Sequence, residues 1–336
     1  MRLSDFDYPL PPEMIAQYPL PKRDQARLLV VNRRTRTIRD DVFKNLAQSL
    51  PRRSVLVLNN SKVIPARLFG RKQKTGARIE VFVLKKSAVD ATYQVLLRPL
   101  KRLKTGDRIQ FDHQGLEAEV VDTDQRLIRF NRHDLGDILQ RIGHVPLPPY
   151  IRRTDEPGDR QAYQTVYARY PGSVAAPTAG LHFTRALLRH LKQAGQQIET
   201  VTLHVNYGTF RPVEREDIRE HSIQKEKYSI SPATIQRLQN ARQQNRKIIA
   251  VGTTACRVLE TWAIHGQAKG MTDLFIYPGY RFRIVDGLIT NFHLPRSTLL
   301  MLVYAFGSSD LIKGAYWYAI KNGYRFYSYG DAMFII

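Results

Sequence analysis

The spacing of apolar residues divides the chain into three regimes. Near the start, RLLVVNR (27–33) reads as a strand and SVLVLNN (54–60), apolar at almost every position, as a buried one. Between them, DVFKNLAQSL (41–50) reads as a helix closed by Pro51. From Arg67 to Phe130 the period shortens. ARIEVFVL, TYQVLLRPL, DRIQFD, LEAEVVD and RLIRFN are short alternating segments parted by Gly, Asp and Lys turns, the pattern of a small antiparallel barrel or sandwich. A short helix, LGDILQRI, follows and stops at Gly143. GHVPLPPYIRR (143–153) holds three prolines, which forbid helix, so it reads as an extended return path. Helices and strands then alternate to the end. The expected fold is an α/β main domain, a mixed sheet or distorted barrel with flanking helices, made of residues 1–65 and 150–336. Into it residues 66–149 insert a small all-β barrel.

Three loops in the last regime each feed a helix. In GLHFTRALLRHLKQAG, Thr184 is placed to cap a helix with Leu187, Leu188, Leu191 and Ala194 on one face, ended by Gly195. His182 stands just before that cap. In KIIAVGTTACRVLETWA, a buried strand turns at Gly-Thr into a helix with Ala255, Val258, Leu259 and Trp262 on one face, and Thr253 is the expected cap. In ITNFHLPRSTLLMLVYAF, His293, Pro295 and Arg296 precede Ser297, the expected cap of a fully buried helix. Each loop offers free backbone N–H groups at the positive end of a helix dipole, which suits a carboxylate or phosphate. A histidine beside such an end is biased toward its neutral form. The competing reading is of three well-capped helices with satisfied histidines.

Charge changes the picture more than any other bulk property. Lys and Arg number 52 against 30 for Asp and Glu, a net +22, which favours a polyanionic partner such as nucleic acid. A generally basic composition is the alternative. The single Cys256 excludes an internal disulfide and any multi-cysteine metal site, and beside a core face it reads as an inert buried thiol. No His-x₃-His, no H-E-x-x-H, no Gly-rich dinucleotide loop and no P-loop occurs. His204, alternating with Val201, Leu203 and Val205, reads as a satisfied core histidine. NYGTF reads as a turn with Gly208 at positive φ, and His221 and Glu226 fall on a charged, solvated stretch. The start carries acid and proline rather than a leader's apolar run. TLLMLVYAF (298–306) is about half the length a membrane span needs. The expected location is the cytoplasm.

Taken in order, NNSKVIPARLFGRK, GHVPLPPYI, VAAPTAGLHF, VTLHV, AVGTTACRVLE, TNFHLPRSTLLMLV and YSYGDAMFI resemble the S-adenosylmethionine:tRNA ribosyltransferase-isomerases of queuosine biosynthesis, over nearly the whole chain. That resemblance implies an α/β domain with an inserted barrel. The implied reaction moves the ribosyl part of S-adenosylmethionine onto a 7-aminomethyl-7-deazaguanine at the tRNA wobble position. It gives epoxyqueuosine and releases adenine and methionine. The implied partners are tRNA with a GUN-type anticodon and S-adenosylmethionine as co-substrate, with no metal or other cofactor and a monomeric enzyme. On this resemblance His182 or His293 is the base for a 5′-methylene proton, and the residues leave open which. Thr253 and Thr254 would hold the methionine carboxylate, Arg296 that group or a phosphate, and Asp331 would assist departing adenine. Thr178, Gly180, Gly208 and Ser297 join the implied substrate-binding set, and His221 and Glu226 the catalytic one. The chain departs from the family at Asn206, where the family usually has Gly, and at HSIQKE, where Gln224 replaces the second His of a His-x-x-His-x-Glu run. The second departure motivates an alternative, a catalytically silent tRNA-binding relative. A methyltransferase using the same co-substrate is a third reading, disfavoured by the missing Gly-rich loop.

Overall fold

A computed structural model describes residues 1–113, 115–210 and 213–336. They divide into two compact units: Met1–Lys62, Pro148–Arg153 and Gln161–Ile336 form one, and Val63–Leu147 with Thr154–Arg160 the other.

The larger unit is built on a nine-stranded sheet. Its strands, in chain order, are β1 (Arg27–Asn32), β2 (Thr37–Val42), β3 (Val55–Asn59), β4 (Gln197–Leu203), β5 (Glu226–Ile230), β6 (Ile248–Val251), β7 (Lys269–Thr272), β8 (Gly287–Asn291) and β9 (Ala332–Ile335). Across the sheet they run β7-β5-β4-β3-β6-β8-β9-β1-β2. The four central strands β4, β3, β6 and β8 are mutually parallel, whereas both flanks are closed by antiparallel pairs. β3, β6 and β8 are buried at every residue, as strands covered on both faces must be. Alternate residues feed two cores. Val55, Val57, Ile248, Ala250 and Leu288 pack on one face against helices α3 (Thr253–His265), α4 (Thr298–Gly307) and α5 (Ser309–Lys321). Leu56, Leu58, Ile249, Val251 and Ile289 pack on the other against α1 (Arg185–Gln193) and Phe43. A further helix, α2 (Pro232–Gln243), adds Leu238 and Ala241 to the first core.

The smaller unit is a closed antiparallel barrel of six strands, Arg67–Lys72, Arg78–Lys86, Thr92–Arg98, Arg108–Phe111, Glu117–Asp122 and Leu127–Phe130. Ile79, Val81, Val83, Val95, Ile109 and Ile128 are buried at alternate positions, which fills the interior with side chains. The α/β domain with a small all-β barrel, expected from the pattern of apolar positions, is therefore what forms. Among the described residues no helix is long and apolar enough to cross a membrane.

Three local expectations differ. The stretch 41–50 is not one helix: Thr37–Val42 pairs with β1, so only a 3-10 turn and the single helical turn Leu46–Ser49 remain before Pro51. Strand pairing across the sheet overrides the local helical spacing. Ala194 is exposed at the end of α1 rather than on its apolar face. Gly208 does not have positive φ. It lies in the 3-10 turn Tyr207–Phe210, where an added Cβ would stand 2.6 Å from the Gln224 side-chain oxygen.

Candidate functional site

Ligands of open α/β sheets gather beyond the carboxyl ends of the parallel strands, where the chain turns into the next element. Here that region holds a cavity of about 400 Å³. Val205 beyond β4, Gly252–Thr254 beyond β6 and Phe292–Ser297 beyond β8 line it, together with the small residues Ala175, Ala176, Thr178 and Ala179. The loop APTAGLHF thus supplies an apolar floor. Tyr150, Tyr163 and Tyr327 close another side.

The β6–α3 turn is made by Gly252, at φ +88°, a conformation that L side chains rarely adopt. It is Gly252, not Thr253, that occupies the N-cap, and among the described residues no side chain caps α3. Its first N–H groups therefore keep the character of an anion site on the cavity wall, beside Thr253 and Thr254. The Thr254 Oγ1 is buried and has no hydrogen-bond partner among the described residues. Ser297, by contrast, does cap α4. Its hydroxyl accepts from the Leu300 N–H at 3.2 Å and donates to the Leu294 carbonyl at 2.7 Å, so it is committed to the backbone. Arg296 borders the cavity at φ +57°, and its guanidinium pairs with Asp7, with Nε 2.8 Å from the carboxylate.

The two candidate histidines have different surroundings. His293 borders the cavity, is 8% exposed, and its Nε2 lies 2.7 Å from the Thr290 hydroxyl. Its backbone is held at both polar atoms: the N–H donates to the Tyr316 hydroxyl at 2.9 Å, and the carbonyl accepts from the Tyr8 hydroxyl. Burial pushes the ring down to about 3, so it is neutral. His182 does not border this cavity. It packs against Phe43, ring centroids 5.0 Å apart, beside a space of about 20 Å³ near Arg23 and Tyr329. Its Nε2 is 3.2 Å from the Asn291 amide nitrogen, which also donates to the Tyr327 carbonyl at 2.9 Å. Burial, with Arg23 and Arg325 nearby, lowers this ring to about 4.

Other candidates lie elsewhere. Gly180 fits under Tyr167, whose hydroxyl would be 2.0 Å from an added Cβ. Asp331 is buried, with its oxygens accepting the N–H groups of Arg27 at 2.9 Å and Arg325 at 2.8 Å. It ties β1 to the turn before β9, and burial raises its pKa. His221, Gly208 and Gln224 line a second cavity of about 220 Å³ that shares Leu299 with the first. Glu226 is not solvated as expected. It is 2% exposed, paired with the buried Arg257, and accepts the Asn206 N–H at 2.9 Å. His204 also differs: it lies past the end of β4, half-buried against Gly172, and its Nδ1 has no partner among the described residues. Cys256 is buried, and desolvation raises its thiol well above the usual range, so it is inert as expected. Among the described residues no group of three His, Cys, Asp or Glu side chains gathers as a metal site.

A family model described as queuosine biosynthesis protein matches residues 3–335. The chain belongs to that family. A Halothermothrix orenii protein named S-adenosylmethionine:tRNA ribosyltransferase-isomerase is 49% identical over 344 residues, covering all of both chains. One of the same name from Acetivibrio thermocellus is 50% identical over 343 residues, again with full coverage. A crystal structure described as S-adenosylmethionine tRNA ribosyltransferase, from Thermotoga maritima, is 37% identical, with a TM-score of 0.57 and coverage of 99% of this chain and 100% of that one.

For this queuosine biosynthesis family member, the cavity wall includes residues that sequence reasoning did not single out. Asn291, Thr290, Tyr150 and Tyr327 line it, and Tyr8 and Tyr316 support it from behind. Asn291 and Tyr327 stand inside the resembling stretches TNFHLPRST and YSYGDAMFI, yet nothing in their spacing marks them. Their roles depend on hydrogen bonds between segments 36 residues apart.

Proposed function

We propose that the chain is an S-adenosylmethionine:tRNA ribosyltransferase-isomerase. It transfers and isomerises the ribosyl group of S-adenosylmethionine onto 7-aminomethyl-7-deazaguanine at the wobble position of GUN-type tRNA, forming epoxyqueuosine and releasing adenine and methionine. The family membership and the full-length relatives support the activity. The reading carries with it a monomeric cytoplasmic enzyme that needs no metal.

The single observation behind the residue roles is the position of His293, a neutral imidazole on the wall of a mostly apolar cavity. The volume, about 400 Å³, is in the range of small-molecule sites. A sulfonium acidifies the neighbouring 5′-methylene, and His293 is the residue we assign to take that proton. Burial holds its basicity below the range that best suits a general base, and a ligand carboxylate in the same cavity would raise it toward that range. The uncapped start of α3, with Thr253 and Thr254, suits the methionine carboxylate. Thr178 and the Ala-rich floor let a nucleoside come close to backbone, and their low polarity shields a carbanion from water. Arg296, half-exposed at the rim and paired with Asp7, is assigned to a phosphate, by exchange of its partner. Asp331, held by two backbone N–H groups away from the cavity, keeps a supporting role.

The test is one incubation of purified protein with S-adenosylmethionine and tRNA bearing the aminomethyl-deazaguanine, read by mass spectrometry. Epoxyqueuosine with equal adenine and methionine is the expected result. Tight tRNA binding without either product would instead mean a silent relative, and S-adenosylhomocysteine a methyltransferase.

A further inference from the structure

Two residues that line the cavity carry buried polar atoms with no hydrogen-bond partner among the described residues. Asn291 is 2% exposed. Its amide nitrogen donates to the Tyr327 carbonyl at 2.9 Å and lies 3.2 Å from His182 Nε2. Turning the amide over would set two oxygens 2.9 Å apart, so the orientation is fixed. Nε2 of His182 then accepts, its ring proton stays on Nδ1, and the Asn291 Oδ1 is left with no partner among the described residues. Tyr327 is 6% exposed, and its hydroxyl likewise has no partner among the described residues. It holds φ +73°, a left-handed conformation that an aromatic residue keeps only when its surroundings impose it. What imposes it is visible. The Asn291 amide holds its carbonyl, its N–H donates to the Phe292 carbonyl at 3.1 Å, and its ring packs 4.3 Å from that of Tyr150.

One group can only accept and the other is a phenol with a proton to give. Both residues line the same cavity, and the Asn291 amide nitrogen donates to the Tyr327 backbone carbonyl. We propose that Asn291 and Tyr327 form its base-reading subsite, selecting a purine that carries an amine next to a ring-nitrogen acceptor, as adenine does. The amine donates to Asn291 Oδ1 and the ring nitrogen accepts from the Tyr327 hydroxyl. A 6-keto purine presents an acceptor where the amine should be, so two acceptors meet. This inference rests on the nucleoside co-substrate proposed above and adds to it the residues that choose the base. Burial pushes the Tyr327 phenol up, which keeps it a neutral donor at any working pH.

The experiment compares adenosine and inosine binding to the full-length protein by calorimetry, together with adenine release from S-adenosylmethionine in the presence of substrate tRNA. Sites built to bond a ligand donor reject the analogue that lacks it, so wild type should bind adenosine tighter by at least about tenfold. Asn291→Ala should bring that preference below about threefold. Because Asn291 also holds Tyr327, Tyr327→Phe serves as the second variant. It deletes only an unpartnered hydroxyl, and should weaken adenosine binding by about three- to tenfold with the fold intact. Equal binding of adenosine and inosine by wild type, no adenosine binding at millimolar concentration, or an undiminished preference in Asn291→Ala overturns the subsite. Adenine release without a purine preference removes the subsite and leaves the reaction standing. A purine preference without adenine release does the reverse.

Discussion

The loops around His182 and His293 are near copies in sequence logic and opposites in structure. Each places a histidine shortly before a Ser or Thr that caps a helix, with cap bonds of 3.0 and 3.2 Å. Both rings are buried and both are driven neutral by desolvation. Yet His182 faces inward, with its Nε2 taken by Asn291 and its ring against Phe43, whereas His293 borders the cavity with its backbone fastened by two tyrosine hydroxyls. A histidine at a helix start is therefore an insufficient signature for a base. Nε2 is engaged in both rings, by Asn291 in one and Thr290 in the other, so what separates a packed ring from a working one is which open space the ring meets.

The largest expected effect breaks the pair apart. His293→Ala should lower adenine release by about 10²–10⁴-fold, the range of a lost general base. His182→Ala, measured on folded protein, should lose less than about tenfold while its unfolding midpoint falls, since it removes a packed ring and leaves Asn291 short of a partner. The reverse ranking would assign the chemistry to His182 and sink the comparison. Next in size is the tyrosine clamp. Tyr316→Phe deprives the buried His293 N–H of its acceptor, and about a tenfold drop in kcat at nearly constant KM is expected. A loss confined to KM would mean that Tyr316 shapes the cavity rather than the base.

Local signals were legible in the sequence wherever short-range geometry decides. The barrel strands read correctly because period-two alternation is set within each segment, and Thr184 and Ser297 cap because the bonds they make lie three residues away. The failures share a cause. Residues 41–50 lost their helix to pairing with β1, and Thr253 lost the cap to the φ of Gly252. His204 and Glu226 were misread for burial because their surroundings come from Gly172 and Arg257, far off in sequence. Asn291 and Tyr327 were invisible because an unmatched acceptor exists only once the fold has used the other half of the amide.

A smaller effect sharpens the likeness between the rings. An unfolded histidine takes up its proton near pH 6.5. In the folded chain His182 holds off until about 4 and His293 until about 3. The unfolded state therefore binds more protons in that window. The stability from neutral burial is complete above pH 6.5 and is lost as pH falls toward 4. Thermal unfolding followed from pH 7.5 to 4.5 should show the midpoint falling on the acid side, and His182→Gln should flatten that slope by about one proton. An unchanged slope would mean that the His182 ring titrates freely and is not held by Asn291.

The smallest effect is expected at Gln224, where the resemblance implies a second His. Gln224 stands at the position of the second His in the resembling run, and a relay through that residue would predict a large gain on restoring it. The geometry argues otherwise. The Gln224 side chain packs over Gly208 and lines the second cavity with His221 and Phe275, away from His293 and the start of α3. The two cavities share Leu299, an apolar side chain that passes no proton. Gln224→His should therefore change adenine release by less than about threefold, within what a rim substitution does to binding. His221→Ala serves as the control on the same wall, and we expect it to be as quiet. A gain above tenfold from Gln224→His, abolished by His221→Ala, would show that the second cavity takes part in the proton chemistry. His293 would then share the role that its position in the first cavity now gives it alone.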